Sequence, residues 1–236
     1  MGQERILIRH GLWSTVYREG DMFIKKYNYY LPDAVNRESK ASKAAELAGI
    51  RTPHCRFIRK NDKSIESVFD FYELTPIHDI SFLKHPDTFK EMQRMLNIMP
   101  DVKWKENDDY WNRLMLPDFL NALTYLNLDV SRYESMLRRL NCQQFIHGDF
   151  GIENIGISNN HLIVYDFQHG SWGPKNWDKA YLFASFIYNS DFELIMGKQE
   201  QELTEIISAI RLGRAIRKHS TLIKERKDIF ISWKQR

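Results

Sequence analysis

The sequence has few of the features that mark a secreted, metal-stabilised or membrane protein. It contains two cysteines, Cys55 and Cys142, without a CxxC spacing, and so predicts neither a disulfide framework nor a zinc site. No apolar run approaches the roughly 20 residues needed to span a bilayer, and residues 1–11 lack the apolar centre of a signal peptide. These absences predict a cytoplasmic protein without a membrane span.

Positive charge is concentrated at the end of the chain, although the net charge is only +3. Residues 211–236 hold nine lysines and arginines against Glu225 and Asp228, so this segment carries +7 and the remainder −4. We interpret the basic segment as the solvated face of a terminal helix, because apolar residues at helical spacing accompany it. These residues are Ile206, Ile207, Ile210, Ala215, Ile216 and Leu222. A weaker alternative is that the segment binds nucleic acid or an anionic membrane surface.

The first third of the chain has the pattern of a small antiparallel sheet with one helix. Alternating apolar residues within 5–27 predict three short strands, and two runs within 55–74 predict a second hairpin. Between them, residues 33–48 are rich in helix formers, begin with Asp33 as a cap and stop at Gly49. This part of the chain is therefore predicted to be β-rich.

The apolar spacing becomes helical after Thr75. Helices are predicted over residues 87–98, 108–126, 129–141, 176–190, 191–197 and 200–233, with short strand-like runs at 145–149, 155–158 and 161–167. The predicted fold class is α+β, with an N-terminal nucleotide-binding lobe of residues 1–75 and a larger, mainly helical catalytic and substrate lobe of residues 76–236.

Three polar residues in the second part of the chain follow a recognisable spacing. Asp149 stands on a predicted turn, Asn154 follows five residues later, and Asp166 ends the next apolar strand. Turn formation explains each residue singly. Phosphoryl transfer explains them together, because one carboxylate orients the attacking hydroxyl while a carboxamide and a second carboxylate hold magnesium on the nucleotide phosphates. The protein-kinase signature has the same four residues between its catalytic Asp and its metal-binding Asn.

The segments HGDFGIEN and IVYDF resemble the catalytic core of the aminoglycoside phosphotransferase and choline kinase group, the small-molecule branch of the protein-kinase-like fold. In this group HGD replaces the HRD of protein kinases, and here Gly148 takes the arginine position. The resemblance implies a bilobal kinase-like fold, ATP and Mg²⁺ as cofactors, and Asp149 as the catalytic residue. It also implies that Asn154 and Asp166 bind the metal. Asp178, in WDKAYLFASF, is expected to be a buried brace of the catalytic loop.

A kinase arrangement further implies a strand lysine that binds the nucleotide phosphates and a helix glutamate that holds the lysine. The run MFIKKY offers Lys25 and Lys26, which point to opposite faces of a strand. We favour Lys25 because it shares its face with two aromatic residues. Glu38, early in the predicted helix, is the favoured partner, and Glu46 is the alternative.

The turn expected to cover the nucleotide phosphates contains little glycine. The run RHGLWSTV has only Gly11 and no GxGxxG pattern. We predict that Gly11 and Ser14 contribute to nucleotide binding, with Thr15 beside them, through backbone N–H groups of the turn.

The acceptor is predicted only as a class, a hydroxyl-bearing small molecule of aminoglycoside, choline or sugar type. Residues 101–111 combine acids with aromatics, which suits a cationic acceptor, but a solvated helix start explains them equally well. One alternative function is a compact atypical Ser/Thr protein kinase linked to RNA modification or ribosome maturation, which the basic segment favours. Another is a nucleotide-binding pseudokinase, which the intact Asp149, Asn154 and Asp166 disfavour. The oligomeric state stays open.

Overall fold

The computed structural model describes most of the chain. The described residues are 4–10, 14–28, 32–60, 64–77, 86–104, 115–138, 140, 142–188, 190, 192 and 196–235. Contacts divide the chain into two compact units. The first unit comprises Met1–Trp104 with Glu153–Gly170, and the second comprises Lys105–Ile152 with Ser171–Arg236. The lobes of residues 1–75 and 76–236 stay a prediction.

The first unit contains a five-stranded antiparallel sheet in the order β1-β2-β3-β5-β4. Its strands are β1 (Arg5–His10), β2 (Ser14–Glu19), β3 (Met22–Tyr27), β4 (Cys55–Lys60) and β5 (Ile65–Asp70). The three-stranded start and the second hairpin predicted from the sequence are therefore confirmed. Strand β3 lies in the middle of the sheet, between β2 and β5, where both of its edges are hydrogen-bonded.

Helix α1 (Pro32–Leu47) connects β3 with β4. It begins one residue earlier than predicted, because proline suits the first helical position, and Asp33 lies in its first turn rather than at its cap. Gly49 has a φ of 90°, a conformation that favours glycine just beyond a helix end. Val35 of α1 packs with Tyr27 of β3 and Ile65 of β5, so the buried side of α1 faces the strand that carries Lys25 and one of its neighbours.

A second, smaller sheet in the first unit joins β6 (Thr75–Pro76), β8 (Ile155–Ser158) and β9 (His161–Val164). Asn159 and Asn160 both have positive φ, as a two-residue hairpin turn between β8 and β9 requires. Helix α2 (Pro86–Ile98) also belongs to this unit. The hairpin matters for the site because Asn154 immediately precedes β8 and Asp166 closely follows β9.

The second unit is mainly helical. It contains α3 (Leu116–Tyr125), α4 (Ser131–Arg138), the paired strands β7 (Cys142–Ile146) and β10 (Ser171–Pro174), α5 (Trp177–Phe183), α6 (Lys198–Arg217) and α7 (Ile223–Lys234). Helix α6 is the central element, since every residue from 203 to 213 is buried. Its Gly213 lies so close to α3 that a Cβ atom there would stand 1.6 Å from the carbonyl oxygen of Asp118. The α+β class is confirmed.

Several predicted boundaries in the second unit are wrong. The single helix predicted over 200–233 is two helices, α6 and α7, separated at residues 218–222, where His219 adopts a positive φ. The helix predicted over 176–190 ends at Phe183, and strand β10 was not predicted. Most of 191–197 and the first part of 108–126 lie outside the described residues.

The basic segment is also only partly the solvated face that the sequence predicts. Ile206, Ile207 and Ile210 are buried as expected, but Leu222 is exposed. Arg211 is buried, and only part of Arg214 reaches the surface. In the part of the chain that the structure describes, no helix is long and apolar enough to cross a membrane.

Candidate active site

Lys25 occupies a buried position in the middle of the five-stranded sheet, with 4% of its surface exposed. Its Nζ lies 2.9 and 3.0 Å from the two carboxylate oxygens of Glu38 and 2.7 Å from Oδ1 of Asp166. Burial lowers the pKa of Lys25, but Asp166 and Glu38 more than offset this effect and hold the pKa well above its usual range. Lys25 is therefore a fixed cation held by two carboxylates.

Lys26 and Glu46, the alternatives to Lys25 and Glu38, lie in different surroundings. Lys26 is exposed, because successive side chains of a strand point to opposite faces. Glu46 is exposed and lies 2.9 Å from Nδ1 of His54. Glu38, by contrast, is buried and also accepts a hydrogen bond from the Tyr27 hydroxyl. The structure thus brings Lys25 and Glu38 together and leaves Lys26 and Glu46 apart from this contact.

Asn154 and Asp166 lie at the same end of the β8–β9 hairpin. Ile155 pairs with Val164 in the antiparallel register, and the N–H of Tyr165 donates to the carbonyl oxygen of Asn154 at 3.0 Å. Asp166 has a φ of 67° and a ψ of 52°, a left-handed conformation that is uncommon outside glycine but tolerated by Asp. Such backbone geometry is typical of functional positions.

Asp149 belongs to the second unit, in the loop that follows β7. Two consecutive N–H groups of this loop, those of His147 and Gly148, donate to the carboxylate of Asp178 at 2.8 and 3.1 Å. The N–H of Asp149 in turn donates to Nδ1 of the buried His147 at 3.2 Å. Gly148 has a φ of 80°, which suits glycine at the sharpest point of the loop. The bracing role predicted for Asp178 is confirmed by these contacts, and His147 holds the same loop through its ring nitrogen.

The buried carboxyl group of Asp178 has unusual electrostatics. Burial raises its pKa to about 7, the two backbone N–H donors lower it, and the charge of Asp149 raises it. The group lies on the first turn of α5 and is buried with its neighbour Trp177. Asp178 therefore fixes the loop backbone and does not itself face solvent.

Two side chains that the sequence did not predict contact the carboxylate of Asp149. The Tyr181 hydroxyl donates a hydrogen bond to Oδ1, and Nη1 of Arg214 lies 3.4 Å from the same atom. Tyr181 stands three residues after Asp178 on α5, a helical spacing that could have indicated it. Arg214 lies 65 residues further along the chain than Asp149, and no local pattern indicates that pairing.

The predicted phosphate-covering turn is only partly described. Gly11 lies outside the described residues. Ser14 begins β2 and pairs in register with Tyr27. The side chain of Thr15 is already engaged, since its hydroxyl donates to Asn28 at 3.1 Å and lies 2.9 Å from Nδ1 of His10.

The residues of the first unit have donor types that fit a nucleotide and a divalent cation. Lys25 supplies a fixed positive charge, as phosphate oxygens require. Its contact with Asp166 uses Oδ1, and 27% of the Asp166 side chain stays exposed, so this carboxylate is accessible to a cation. Magnesium binds hard oxygen ligands and takes only one or two protein carboxylates, which suits the pair Asn154 and Asp166.

Neither a protein-family model nor a curated protein sequence matches this chain. Solved structures do match it. A choline/ethanolamine kinase family protein from Mesorhizobium loti is 15% identical, with a TM-score of 0.70, and the match covers 98% of this chain and 86% of that one. An amicoumacin kinase in complex with AMP-PNP and Ca²⁺ is 10% identical, with a TM-score of 0.70 and the same coverage of 98% and 86%.

A thermostable mutant of an aminoglycoside phosphotransferase, solved with ADP and hygromycin B, has a TM-score of 0.67 at 10% identity, covering 98% of this chain and 94% of that one. At such identities the likeness concerns the fold, and it confirms the fold implied by HGDFGIEN and IVYDF. The chain has the protein-kinase-like fold shared by these small-molecule kinases.

Proposed function

We propose that this protein is an ATP-dependent phosphotransferase that moves the γ-phosphate of ATP to a hydroxyl group of a small molecule. The observation that carries the proposal is the contact of Lys25 with both Glu38 and Asp166. A buried lysine on the central strand, held by a helix glutamate and by the aspartate after β9, is the arrangement that kinases use to bind nucleotide phosphates. The solved neighbours with AMP-PNP or ADP support nucleotide binding.

Asp149 has the role of aligning the acceptor hydroxyl and accepting its proton. The Tyr181 hydroxyl and the Arg214 guanidinium both contact Oδ1, so they fix the direction of the carboxylate. The hydrogen bonds from His147 and Gly148 to Asp178 hold the loop backbone that carries it. Fixed orientation is the larger part of catalysis in phosphoryl transfer, because the transition state involves little covalent chemistry for the protein to perform.

Lys25 binds phosphate oxygens, and Glu38 positions its ammonium group. Gly11 and Ser14 contribute to nucleotide binding. Asn154 and Asp166 hold Mg²⁺, which when bound neutralises charge on the nucleotide phosphates. Asp166 contacts Lys25 in the structure, so the same carboxylate links the phosphate-binding cation to the metal position. Because ATP is the donor, we place the enzyme in the cytoplasm.

The proposal is tested by measuring ATP turnover with radiolabelled ATP and Mg²⁺, using a panel of amino alcohols, sugars and aminoglycosides and, separately, a protein mixture. We expect label to enter a small molecule, and the Asp149→Asn variant to lose turnover by about 10²-fold or more while binding ATP as the wild type does. Label entering protein alone would favour a protein kinase. Turnover that persists in Asp149→Asn would show that the role assigned to Asp149 is wrong.

A further inference from the structure

Tyr27 lies two residues after Lys25 on β3, so both side chains leave the same face of the sheet. Its ring packs with Val35 of α1 and Ile65 of β5, and only 3% of its surface is exposed. Its hydroxyl donates a hydrogen bond to Oε2 of Glu38, which follows Val35 by about one helical turn. Tyr27 therefore contacts α1 at two points, through its ring and through its hydroxyl group.

The hydrogen bond from Tyr27 is directed at an oxygen that Lys25 also contacts. Nζ of Lys25 lies 3.0 Å from Oε2 of Glu38 and 2.9 Å from Oε1. The same ammonium group lies 5.2 Å from the centroid of the Tyr27 ring, a cation–π contact. Each of the three side chains thus contacts the other two.

A second donor to Glu38 matters because Lys25 is shared between two carboxylates, the other being that of Asp166. Burial raises the pKa of Glu38, and the charge of Lys25 opposes this effect. The charge of Asp166 raises that pKa further, whereas the hydrogen bond from Tyr27 lowers it. The tyrosine hydroxyl stays protonated, because burial and then the charge of Glu38 raise its pKa well above the usual range. Tyr27 therefore stabilises the carboxylate as a neutral donor, without adding a second cation beside Lys25.

We propose that Tyr27 is a positioning residue of the nucleotide site, whose hydroxyl holds Glu38 in the orientation that fixes Lys25 for binding phosphate oxygens. This inference rests on the proposed function, since it concerns the phosphate-binding lysine of the same enzyme. Without the hydroxyl, the hydrogen bonds between Lys25 and Glu38 remain, but the two flexible side chains can turn together. Holding them in one orientation before the nucleotide arrives reduces the conformational entropy lost on binding, and so raises affinity.

The experiment removes the hydroxyl group and keeps the aromatic ring in the core. Binding of ADP in the presence of Mg²⁺ is measured by calorimetry, and Tyr27→Phe is expected to weaken it about fivefold. Tyr17→Phe is the matched control, and it is expected to leave ADP binding unchanged. Tyr17 of β2 pairs in register with Ile24, so its side chain belongs to the face of the sheet opposite to that of Lys25.

A double-mutant cycle shows whether Tyr27 acts through Glu38. Glu38→Gln removes the charge that fixes Lys25, so Tyr27→Phe made in that background is expected to change ADP affinity by less than about twofold. Val35→Ala is a control for packing, because it weakens the contact between α1 and the Tyr27 ring without removing the hydroxyl. It is expected to lower the thermal unfolding temperature and to leave ADP affinity as it is in the wild type.

The nitrogen NMR signal of the Lys25 ammonium group gives a second readout, in the absence of nucleotide. The signal is identified by its loss in Lys25→Met. We expect it to be sharp in the wild type and in Tyr17→Phe, and to broaden in Tyr27→Phe, because the ammonium group then samples more than one orientation. Thermal unfolding of each variant sets a temperature at which all of them are folded, and both measurements are made below it.

The outcomes separate the positioning role from the kinase function. If the wild type binds ADP and turns over ATP, but Tyr27→Phe binds ADP equally tightly, the positioning role is wrong and the kinase function stands. Equal losses in Tyr27→Phe and Tyr17→Phe would also overturn the inference, as would the same loss with and without Glu38→Gln. Weaker ADP binding in Val35→Ala would show that packing of α1, and not the hydroxyl, sets the affinity. If the wild type does not bind ADP, both proposals fail together.

Discussion

Nζ of Lys25 lies 2.7 Å from Oδ1 of Asp166, while both oxygens of Glu38 lie within 3.0 Å of the same ammonium group. The ammonium group of Lys25 therefore forms ion pairs with both Glu38 of α1 and Asp166, which follows β9. The two carboxylates come from positions 128 residues apart in the chain, yet both belong to the first unit. Lys25 thus joins the five-stranded sheet and the β8–β9 hairpin electrostatically.

Replacing Lys25 with Met is expected to lower the turnover of ATP by about 10²-fold or more, because a fixed donor to the phosphates is lost. The change also leaves the buried Glu38 without its counter-charge, so we expect a loss of about 3 kcal/mol in the free energy of unfolding. Steady-state kinetics and urea unfolding measure the two effects. Lys25→Met/Glu38→Gln is expected to recover stability without recovering turnover.

Lys26→Met is the matched control, since it removes the same charge one residue away at an exposed position of β3. Kinetics and stability close to those of the wild type are expected. If Lys26→Met impaired turnover as much as Lys25→Met did, the assignment of the phosphate-binding lysine would be wrong.

Patterns of neighbouring residues in the sequence predicted much of this structure, because strands, helices and turns depend mainly on residues close together in the chain. Alternation predicted β1–β3, and it separated Lys25 from Lys26 before any contact was known. The spacing of the HGD motif predicted which loop carries Asp149. The contacts of that residue with Tyr181 and Arg214 depend on the packing of α5 and α6, which single-sequence patterns do not encode.

The break between α6 and α7 was missed for a related reason. The run KHSTL at residues 218–222 contains neither glycine nor proline, the usual signals of a helix end. His219 takes the positive φ that a glycine would normally supply. Conversely, Gly213 looks like a poor helix residue in the sequence, although close packing of α6 on Asp118 of α3 explains it.

Asp166→Ala is expected to reduce turnover by about 10²-fold or more at any concentration of Mg²⁺, because both a metal ligand and a partner of Lys25 are lost. Asn154→Ala is expected to raise the concentration of Mg²⁺ needed for half-maximal turnover. EDTA is expected to stop the reaction, and added Mg²⁺ to restore it. Electron paramagnetic resonance measures the binding of Mn²⁺ and so reports on the metal site independently of enzyme activity.

Asp101→Ala is the control for these two variants, because Asp101 is an exposed carboxylate of the same unit. It should leave the Mg²⁺ dependence as it is in the wild type. Unchanged Mn²⁺ binding in Asp166→Ala would contradict the proposed metal role of that residue.

The buried Asp178 predicts a specific dependence of stability on pH. Burial raises its folded-state pKa to about 7, above the value in the unfolded chain, so the folded state binds more protons between about pH 4 and 7. Its contribution to the free energy of unfolding is therefore greatest below pH 4 and is lost as the pH rises to 7. Asp178→Asn does not titrate, so its stability relative to the wild type should improve from pH 5 to pH 8.

Urea unfolding of the wild type and of Asp178→Asn at four pH values between 5 and 8 measures this difference. The variant should also lose turnover at every pH, because an amide cannot accept hydrogen bonds from both His147 and Gly148 in the way that a carboxylate does. A difference in stability that is constant with pH would show that Asp178 does not titrate in this range.

Gly213→Ala tests the closest approach of two helices in the second unit. In an ordinary helix interior this change stabilises a protein by about 1 kcal/mol, because alanine is the better helix former. Here the added Cβ would lie 1.6 Å from the carbonyl oxygen of Asp118 and 2.6 Å from its carbonyl carbon, so backbone rather than a flexible side chain must move. We expect a loss of about 3 kcal/mol, as in overpacked cores.

Whether Gly213→Ala raises or lowers the free energy of unfolding therefore tests the close contact between α3 and α6. Ala215→Gly, the reverse exchange two residues away in α6, is expected to cost about 2 kcal/mol through helix propensity and the loss of one buried methyl group. Moving Asp118 also disturbs Arg214 and Arg217, which it binds, so Gly213→Ala should lower turnover more than Ala215→Gly does. A Gly213→Ala protein as stable as the wild type in urea unfolding would mean that α3 and α6 do not require this contact.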